Sequence, residues 1–316
     1  MRSKVCLIAF ACLILAATPA SAQSDRGAIT GTVSDPAGAM IPKAQIEARN
    51  IQTGAVYQTV TSTTGNYTLA QLPVGVYQLT ATQAGFKQYS RTGITVMVAQ
   101  TLRIDIAMEV GSISETVSVS ADAPLLKTES GELSHNITAA RADSLPILGF
   151  SNIIRDPYAV MTLLPGALYQ NRAWFRVNGA PSASMSVRVD GMEATNGMLQ
   201  QSTGMSQQSM AAIEEVAIQT SNYAAEFGQA GGGYFNVTMK SGTNAYHGSA
   251  YDYWSNEALN ASQPYVNTKN RVRRNDYGFT LGGPVWIPKL YDGHDKTFFF
   301  FSFEQYRETT KYNSTT

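Results

Sequence analysis

The side chains able to do chemistry are few and badly spaced for it. Three histidines, His135, His247 and His294, lie far apart, and none has a His or Cys partner three or four positions away. The spacing that sets two zinc ligands on one helix face is therefore missing. Both cysteines, Cys6 and Cys12, sit near the start. If that segment is removed on export, no thiol is left for a disulfide, a zinc site or a nucleophile. Glu214 and Glu215 are adjacent, so on a strand they face opposite ways and cannot share a substrate. Asp190-Gly191-Met192-Glu193 and Asp292-Gly293-His294-Asp295 lack the repeated acidic spacing of a calcium loop and read as turns. Gly231-Gly232-Gly233 has no Lys-Ser/Thr after it and precedes a strand rather than a helix, unlike a phosphate cradle. No Gly-x-Ser-x-Gly elbow occurs. These residues point to no enzyme, no cofactor and no metal.

What remains is chemistry of the backbone. Glu115, Thr116, Val117, Ser118, Val119, Ser120 and Ala121 form a short alternating stretch. On its pattern alone it reads as the closing strand of the domain before it.

At the start of the chain, Arg2 and Lys4 precede an apolar run at 5–17, and Ala20-Ser21-Ala22 is a small-x-small cleavage site. Residues 1–22 are thus expected to be an export signal, cut between Ala22 and Gln23. Without it the chain carries 21 basic and 23 acidic residues, and no basic patch suggests nucleic acid. Residues 23–110 alternate in short strands: Ile29, Gly31, Val33; Ile46, Ala48; Tyr67, Leu69; Tyr77, Leu79, Ala81; Ile94, Val96, Val98; Leu102, Ile104, Ile106, Met108. Turn residues separate them, which predicts a small β-sandwich expected to fold alone. After a linker at 111–122, residues 123–244 mix helix and strand. Short helices are expected at 139–145 and 156–164, and strands at 175–179, 187–192, 216–220 and after the glycine triplet. A polar loop occupies 198–210.

From 245 to 316 the pattern becomes aromatic alternation. Tyr277, Phe279 and Leu281 interleave with Gly278 and Thr280. Phe299, Phe301 and Phe303 share one face, and Phe298, Phe300, Ser302 and Glu304 the other. An apolar face toward lipid and a polar face toward a lumen is the pattern of an outer-membrane barrel. The fold class expected is therefore mainly β: a transthyretin-like sandwich, a mixed α/β domain, and the first strands of an incomplete barrel.

Several of these residues also carry a family resemblance. Gly31 and Val33, Asp35-Pro36-Ala37-Gly38, Gly65-Asn66-Tyr67 and the Leu72-Pro73-Val74-Gly75-Val76-Tyr77 turn resemble the carboxypeptidase regulatory-like domain. That module is non-catalytic, and its carbohydrate label is inherited at fold level only. Arg176-Val177-Asn178-Gly179, Val187 to Gly191, Ile213 to Val216 and the stretch 223–261 resemble the plug and barrel start of TonB-dependent receptors of the Oar-like subgroup. The resemblance implies a plug at 123–244 and a barrel of about 22 strands, of which three are seen in this chain. It further implies a bacterial outer-membrane location with the N-terminal domains in the periplasm. The partners it implies are outer-membrane lipid, a TonB-type energy-coupling protein in the periplasm and an unknown extracellular solute. Residues 115–121 would be the TonB box that the coupling protein captures. Arg176, Arg188 and Asp190 would be plug residues that touch the barrel wall or the ligand, or pair within their own domain. The glycine triplet would mark a positive φ or a close approach, such as that of plug to wall.

Three strands cannot close a barrel, so the chain is expected to be part of a larger receptor and not to transport alone. The rival reading is a complete secreted or cell-surface carbohydrate-binding or adhesion module whose Phe-rich strands lie in a soluble core. Without detergent, residues 23–245 should stay soluble while the chain through 316 aggregates. Equal solubility of the two would favour the rival.

Overall fold

The structure is a computed structural model that describes residues 26–113, 116–120, 129, 131–144, 155–171, 174–181, 184–195, 208–223, 228, 230–259, 261–262, 269 and 271–311. The leader with Ala22 and Gln23, the outer box residues Glu115 and Ala121, and most of the 198–210 loop lie outside the described residues.

The first unit holds β1 (Gly27–Ser34), β2 (Gln45–Asn50), β3 (Val56–Val60), β4 (Asn66–Leu72), β5 (Gly75–Thr82), β6 (Gln88–Val96), β7 (Thr101–Arg103), β8 (Ile106–Ala107) and β9 (Thr116–Ser120). One sheet runs β4-β1-β7, with β8 also on β1; the other runs β3-β2-β5-β6-β9. Alternation decides which side chains enter. Ile29, Val33, Ile46, Ala48, Tyr67, Leu69, Tyr77, Leu79, Ala81, Ile94 and Val96 all point between the sheets and are buried. The buried tyrosines need partners for their hydroxyls. Tyr67 Oη donates to the Ile104 carbonyl at 2.7 Å, and Tyr77 Oη to the Pro73 carbonyl at 2.8 Å. Burial pushes the Tyr77 phenol up to about 12. Gly31 is needed where β1 meets the chain at Ile104: a Cβ there would lie 1.9 Å from the Ile104 carbonyl oxygen.

The second unit holds β10 (Leu133–Thr138), α1 (Ala139–Ser144), β11 (Ala167–Asn171), β12 (Trp174–Val177), β13 (Met185–Val189), β14 (Met192–Glu193), β15 (Ile213–Ser221) and β16 (Gly233–Met239). Its main sheet runs β10-β15-β16-β13-β14, with β13 and β16 parallel. The apolar side chains of Ile137, Val187, Val216, Ile218, Phe235 and Val237 bury against Tyr158, Val160 and Met161. Those last three lie on a 3-10 turn, Pro157–Leu163, where the sequence suggested an α-helix. Asp156 caps it by accepting from the Tyr158 amide at 3.0 Å. It runs for seven residues, and the Leu164 amide closes it with a bond to the Met161 carbonyl before the Pro165-Gly166 break.

The third unit holds β17 (His247–Ser255), β18 (Arg271–Pro284), β19 (Trp286–Ile287), β20 (Tyr291–Asp292) and β21 (Phe298–Lys311). β17, β18 and β21 form one antiparallel sheet, while β19 and β20 make a small hairpin within the connection from β18 to β21. The β18–β21 pairing is unbroken from Arg271–Lys311 to Pro284–Phe298. Among the described residues the sheet is unclosed.

Asp105 ties the end of β7 to β1. It accepts from the Thr32 amide at 2.8 Å and the Thr32 hydroxyl at 2.9 Å, and from Arg103 Nε at 3.0 Å. Partial burial pushes its carboxyl up, but the Arg103 guanidinium and the two Thr32 donors outweigh that and hold it below the usual range. Its stabilising effect is therefore complete above the unfolded value, about pH 4, and is lost as pH falls through the lower folded value. Thermal unfolding of the sandwich should shift to lower temperature on acidification below about pH 4, and Asp105→Asn should flatten that dependence. An identical pH profile for the two proteins would assign the linkage elsewhere.

Candidate functional sites: a mixed domain on a barrel wall and an edge strand

The three long strands have two chemically different faces. On one, Phe279 lies beside Phe303 and Leu281 beside Phe301, and all four are exposed. The Phe279 ring centroid is 5.7 Å from that of Phe301 and 5.9 Å from that of Phe303. Trp254 at one end and Trp286 and Tyr291 at the other are exposed too, in the manner of interfacial aromatic girdles. The rival reading put these Phe side chains in a soluble core; instead they stand on an uncovered apolar face. A fourteen-residue strand such as β21 exceeds the roughly 9–11 residues that a tilted strand needs to cross the hydrocarbon.

The other face is polar, and the second unit lies against it. Glu304 on β21 is directly across from Gly278, a position with no side chain to block its approach to Tyr251 on β17. Tyr251 Oη donates to Glu304 Oε2 at 2.7 Å, and Ser209 Oγ donates to the same oxygen at 2.6 Å. Ser209 immediately precedes the 3-10 turn Met210–Ala212 that leads into β15. The Arg155 guanidinium stacks 4.6 Å from the Tyr253 ring centroid and 5.6 Å from that of Tyr251, a cation–π geometry. Farther along this face Ser249 and Thr280 hydroxyls are 2.9 Å apart, and Arg274 Nε meets Glu308 at 2.9 Å.

A second joint links the sandwich to the mixed domain. Glu215 on β15 is 1% exposed, while its neighbour Glu214 points outward, the opposition that adjacent strand positions require. Glu215 Oε2 accepts from the Val98 amide at 3.2 Å. Asn136 on β10 donates both to the other Glu215 oxygen and to the Val98 carbonyl. The loop that follows β6 is thereby gripped from two strands of the mixed sheet. Between all three units lies a cavity of about 1050 Å³, lined by Arg26, Gln52, Asp190, Lys240, His247 and Thr280 among others.

The residues singled out from the sequence fall as follows. Thr116–Ser120 is β9, the edge strand of the sandwich, parallel to β6 with Gln88 beside Thr116 and Thr92 beside Ser120. Arg176 is exposed on β12. The Arg188 guanidinium lies 5.1 Å from the Tyr234 ring centroid, and its Nε is 3.7 Å from Glu193. Asp190 begins the two-residue turn from β13 to β14, at φ 48° with Gly191 at 78°, and accepts from the Met239 amide at 2.8 Å. Arg188 and Asp190 thus make these contacts within their own domain. Gly233 combines φ 133° with an approach so close that a Cβ would lie 2.3 Å from the Gln219 carbonyl oxygen. That carbonyl belongs to β15, so the close approach is within the domain and not toward the barrel wall. Among the described residues no cluster of three potential metal ligands occurs. Arg155 and Ser209, which make the wall contact, were not legible in the sequence. Neither lies in a motif, and Ser209 meets Glu304 across 95 positions.

Glu304→Ala would remove the acceptor shared by Ser209 and Tyr251, a loss of roughly 1–3 kcal/mol for a charged acceptor. Hydrogen exchange of residues 208–213, measured on the full chain in detergent, should quicken by about tenfold or more while the sandwich is unchanged. Unaltered protection there would show that the wall contact does not hold this segment.

Residues 28–109 match the Carboxypeptidase regulatory-like domain family, and residues 238–316 match the Outer membrane beta barrel domain family. Over 243 residues, 73% of this chain, the sequence is 27% identical to the TonB-dependent transporter Oar of Myxococcus xanthus, 23% of which is covered. The chain therefore spans about a quarter of the length of the curated relative it matches. Among solved structures, a type II cohesin–X-dockerin complex from Acetivibrio cellulolyticus is similar at 15% identity and TM-score 0.22, covering 27% of this chain and 58% of that one. Catechol 1,2 dioxygenase of Acinetobacter radioresistens is similar at 12% identity and TM-score 0.23, covering 32% and 59%. Overlaps this slight bear on neither fold nor function. With a regulatory-like domain first and outer-membrane barrel strands after it, the chain is an outer-membrane protein similar in sequence to a TonB-dependent transporter.

Proposed function

We propose that this chain serves the energised uptake of a solute across the outer membrane. Residues 23–110 are the regulatory-like sandwich, released from the leader at 1–22. Residues 111–122 are a linker carrying the coupling box, 123–244 the plug, and 245–316 the start of the barrel. The sandwich and linker face the periplasm, where a TonB-type protein engages residues 115–121. The solute enters from outside, with carbohydrate the first class to try because of the fold-level label of the sandwich. The family is one of transporters and receptors, not of enzymes.

The observation that carries this reading is the seating of Ser209 and Arg155 on the polar face of strands whose other face is apolar and uncovered. A domain lying on the lumen side of a membrane sheet occludes that lumen, and an occluded lumen has to be opened by work supplied from elsewhere. Motion of the plug must break the Ser209–Glu304 contact and unstack Arg155 from its tyrosines. Neither contact is covalent or deeply buried, and each is of a kind worth on the order of 1–3 kcal/mol.

The test is solute depletion from a defined mixture of oligosaccharides and peptides. Cells with and without the receptor gene are compared, each with and without a protonophore. At least one component should disappear only when both receptor and proton gradient are present. Depletion that ignores the gradient, or no difference between the cells for any component, would overturn the proposal.

A further inference from the structure

We propose that the sandwich presents the coupling strand in place: the coupling protein adds its own strand to the open edge of β9 while β9 stays hydrogen-bonded to β6. The inference rests on the reading of residues 115–121 as a TonB box and goes beyond it. That reading alone does not say whether the box is a free tether, a strand that must be peeled away, or a fixed platform.

Three observations support a platform. First, β9 is terminal in the order β3-β2-β5-β6-β9, and β6 is its ladder partner along the whole of Thr116–Ser120. In a paired strand alternate residues direct N–H and C=O away from the neighbour, so the far edge of β9 is a row of donors and acceptors with no ladder partner among the described residues. Such an edge suits an added strand, whose backbone supplies affinity while alternating side chains supply selection. Second, the platform is firm. β5 flanks β6 on its other side from Gly75–Val96 to Ala81–Tyr89, and Tyr89, Ile94 and Val96 anchor it in the core. Third, the occupant is specified. The relative over most of this chain is a TonB-dependent transporter, and β9 stands where the sandwich gives way to the plug sequence.

Presentation changes the energetics of capture. A free tether loses backbone freedom on about five residues when it is bound. A strand already held on β6 has lost that freedom during folding, so capture starts from an ordered edge. Peeling would instead require the ladder to be broken first, and binding would compete with the sandwich.

The two can be separated by a reversible lock. Ser90 and Ser118 are direct neighbours in the parallel register, midway along β9, and adjacent strands lie within disulfide reach. In the full chain in detergent, Cys6→Ser and Cys12→Ser leave Ser90→Cys and Ser118→Cys as the sole thiols. Binding of the periplasmic domain of the same bacterium's TonB-type protein is then measured on the oxidised and reduced forms of one preparation. On presentation, the two dissociation constants agree within about threefold. If oxidation weakens binding by tenfold or more and reduction restores it, presentation is overturned while the coupling-box reading survives. Val117→Pro, with the sandwich checked by circular dichroism, tests that reading separately. It should abolish binding in the reduced form. If Val117→Pro binds like the parent, or if neither form of the parent binds, the box reading fails and the inference with it.

Discussion

Unpaired backbone at a sheet edge is the constraint around which this molecule is organised. In water an edge strand can leave its N–H and C=O groups to solvent; in hydrocarbon it cannot. The chain contains both situations. Among the described residues β9 is the terminal strand of its sandwich sheet. β17 and β21 flank β18 in a sheet whose outer face carries Phe279, Leu281, Phe301 and Phe303. There the same groups require further strands. The difference between the two edges lies in the solvent each meets rather than in the strands themselves.

Between these edges the contacts are polar and sparse. The mixed domain meets the barrel strands through a hydroxyl shared with a carboxylate and a guanidinium over two rings. It meets the sandwich through Glu215 and Asn136 closing on Val98. The two joints differ in kind. Glu215 is buried, so losing either partner leaves a buried acceptor unsatisfied, which is costly. Ser209 and Glu304 are only partly buried, and water can replace either partner cheaply. Mixed domain and sandwich are thus the firmer pair, and mixed domain and barrel strands the looser one.

Much of the fold could be read from period-two alternation. Tyr77, Leu79 and Ala81 turn inward in the sandwich, and Ser302 and Glu304 turn away from Phe301 and Phe303, because successive strand residues face opposite sides whatever the tertiary context. Turn chemistry was legible where it is local, as at Asp190-Gly191. What escaped was non-local. Nothing near Ser209 announces Glu304. The parallel docking of β9 on β6 depends on shape and register across the domain, not on either strand's composition. The glycine triplet was read correctly as a close approach, but its neighbour proved to be β15 of the same sheet, because a sequence records that a Cβ is forbidden and not which backbone forbids it. The segment at 157–163 was apolar enough for a helix, and only its length and flanking prolines argued for the tighter turn.

The register of β9 on β6 also has a mechanical meaning. Five residue pairs join them, side by side and in the same direction. A ladder pulled along its own axis shares the load among all its bonds, which must fail together; a ladder pulled sideways at one end unzips bond by bond at far lower force. β6 continues directly into the loop that Glu215 and Asn136 grip. Traction along the strand axis would therefore run through β6 into Val98 and on to β15 and β10, while traction across it would part β9 from β6 pair by pair. Direction of pull, and not only its strength, decides which of these joints bears the load.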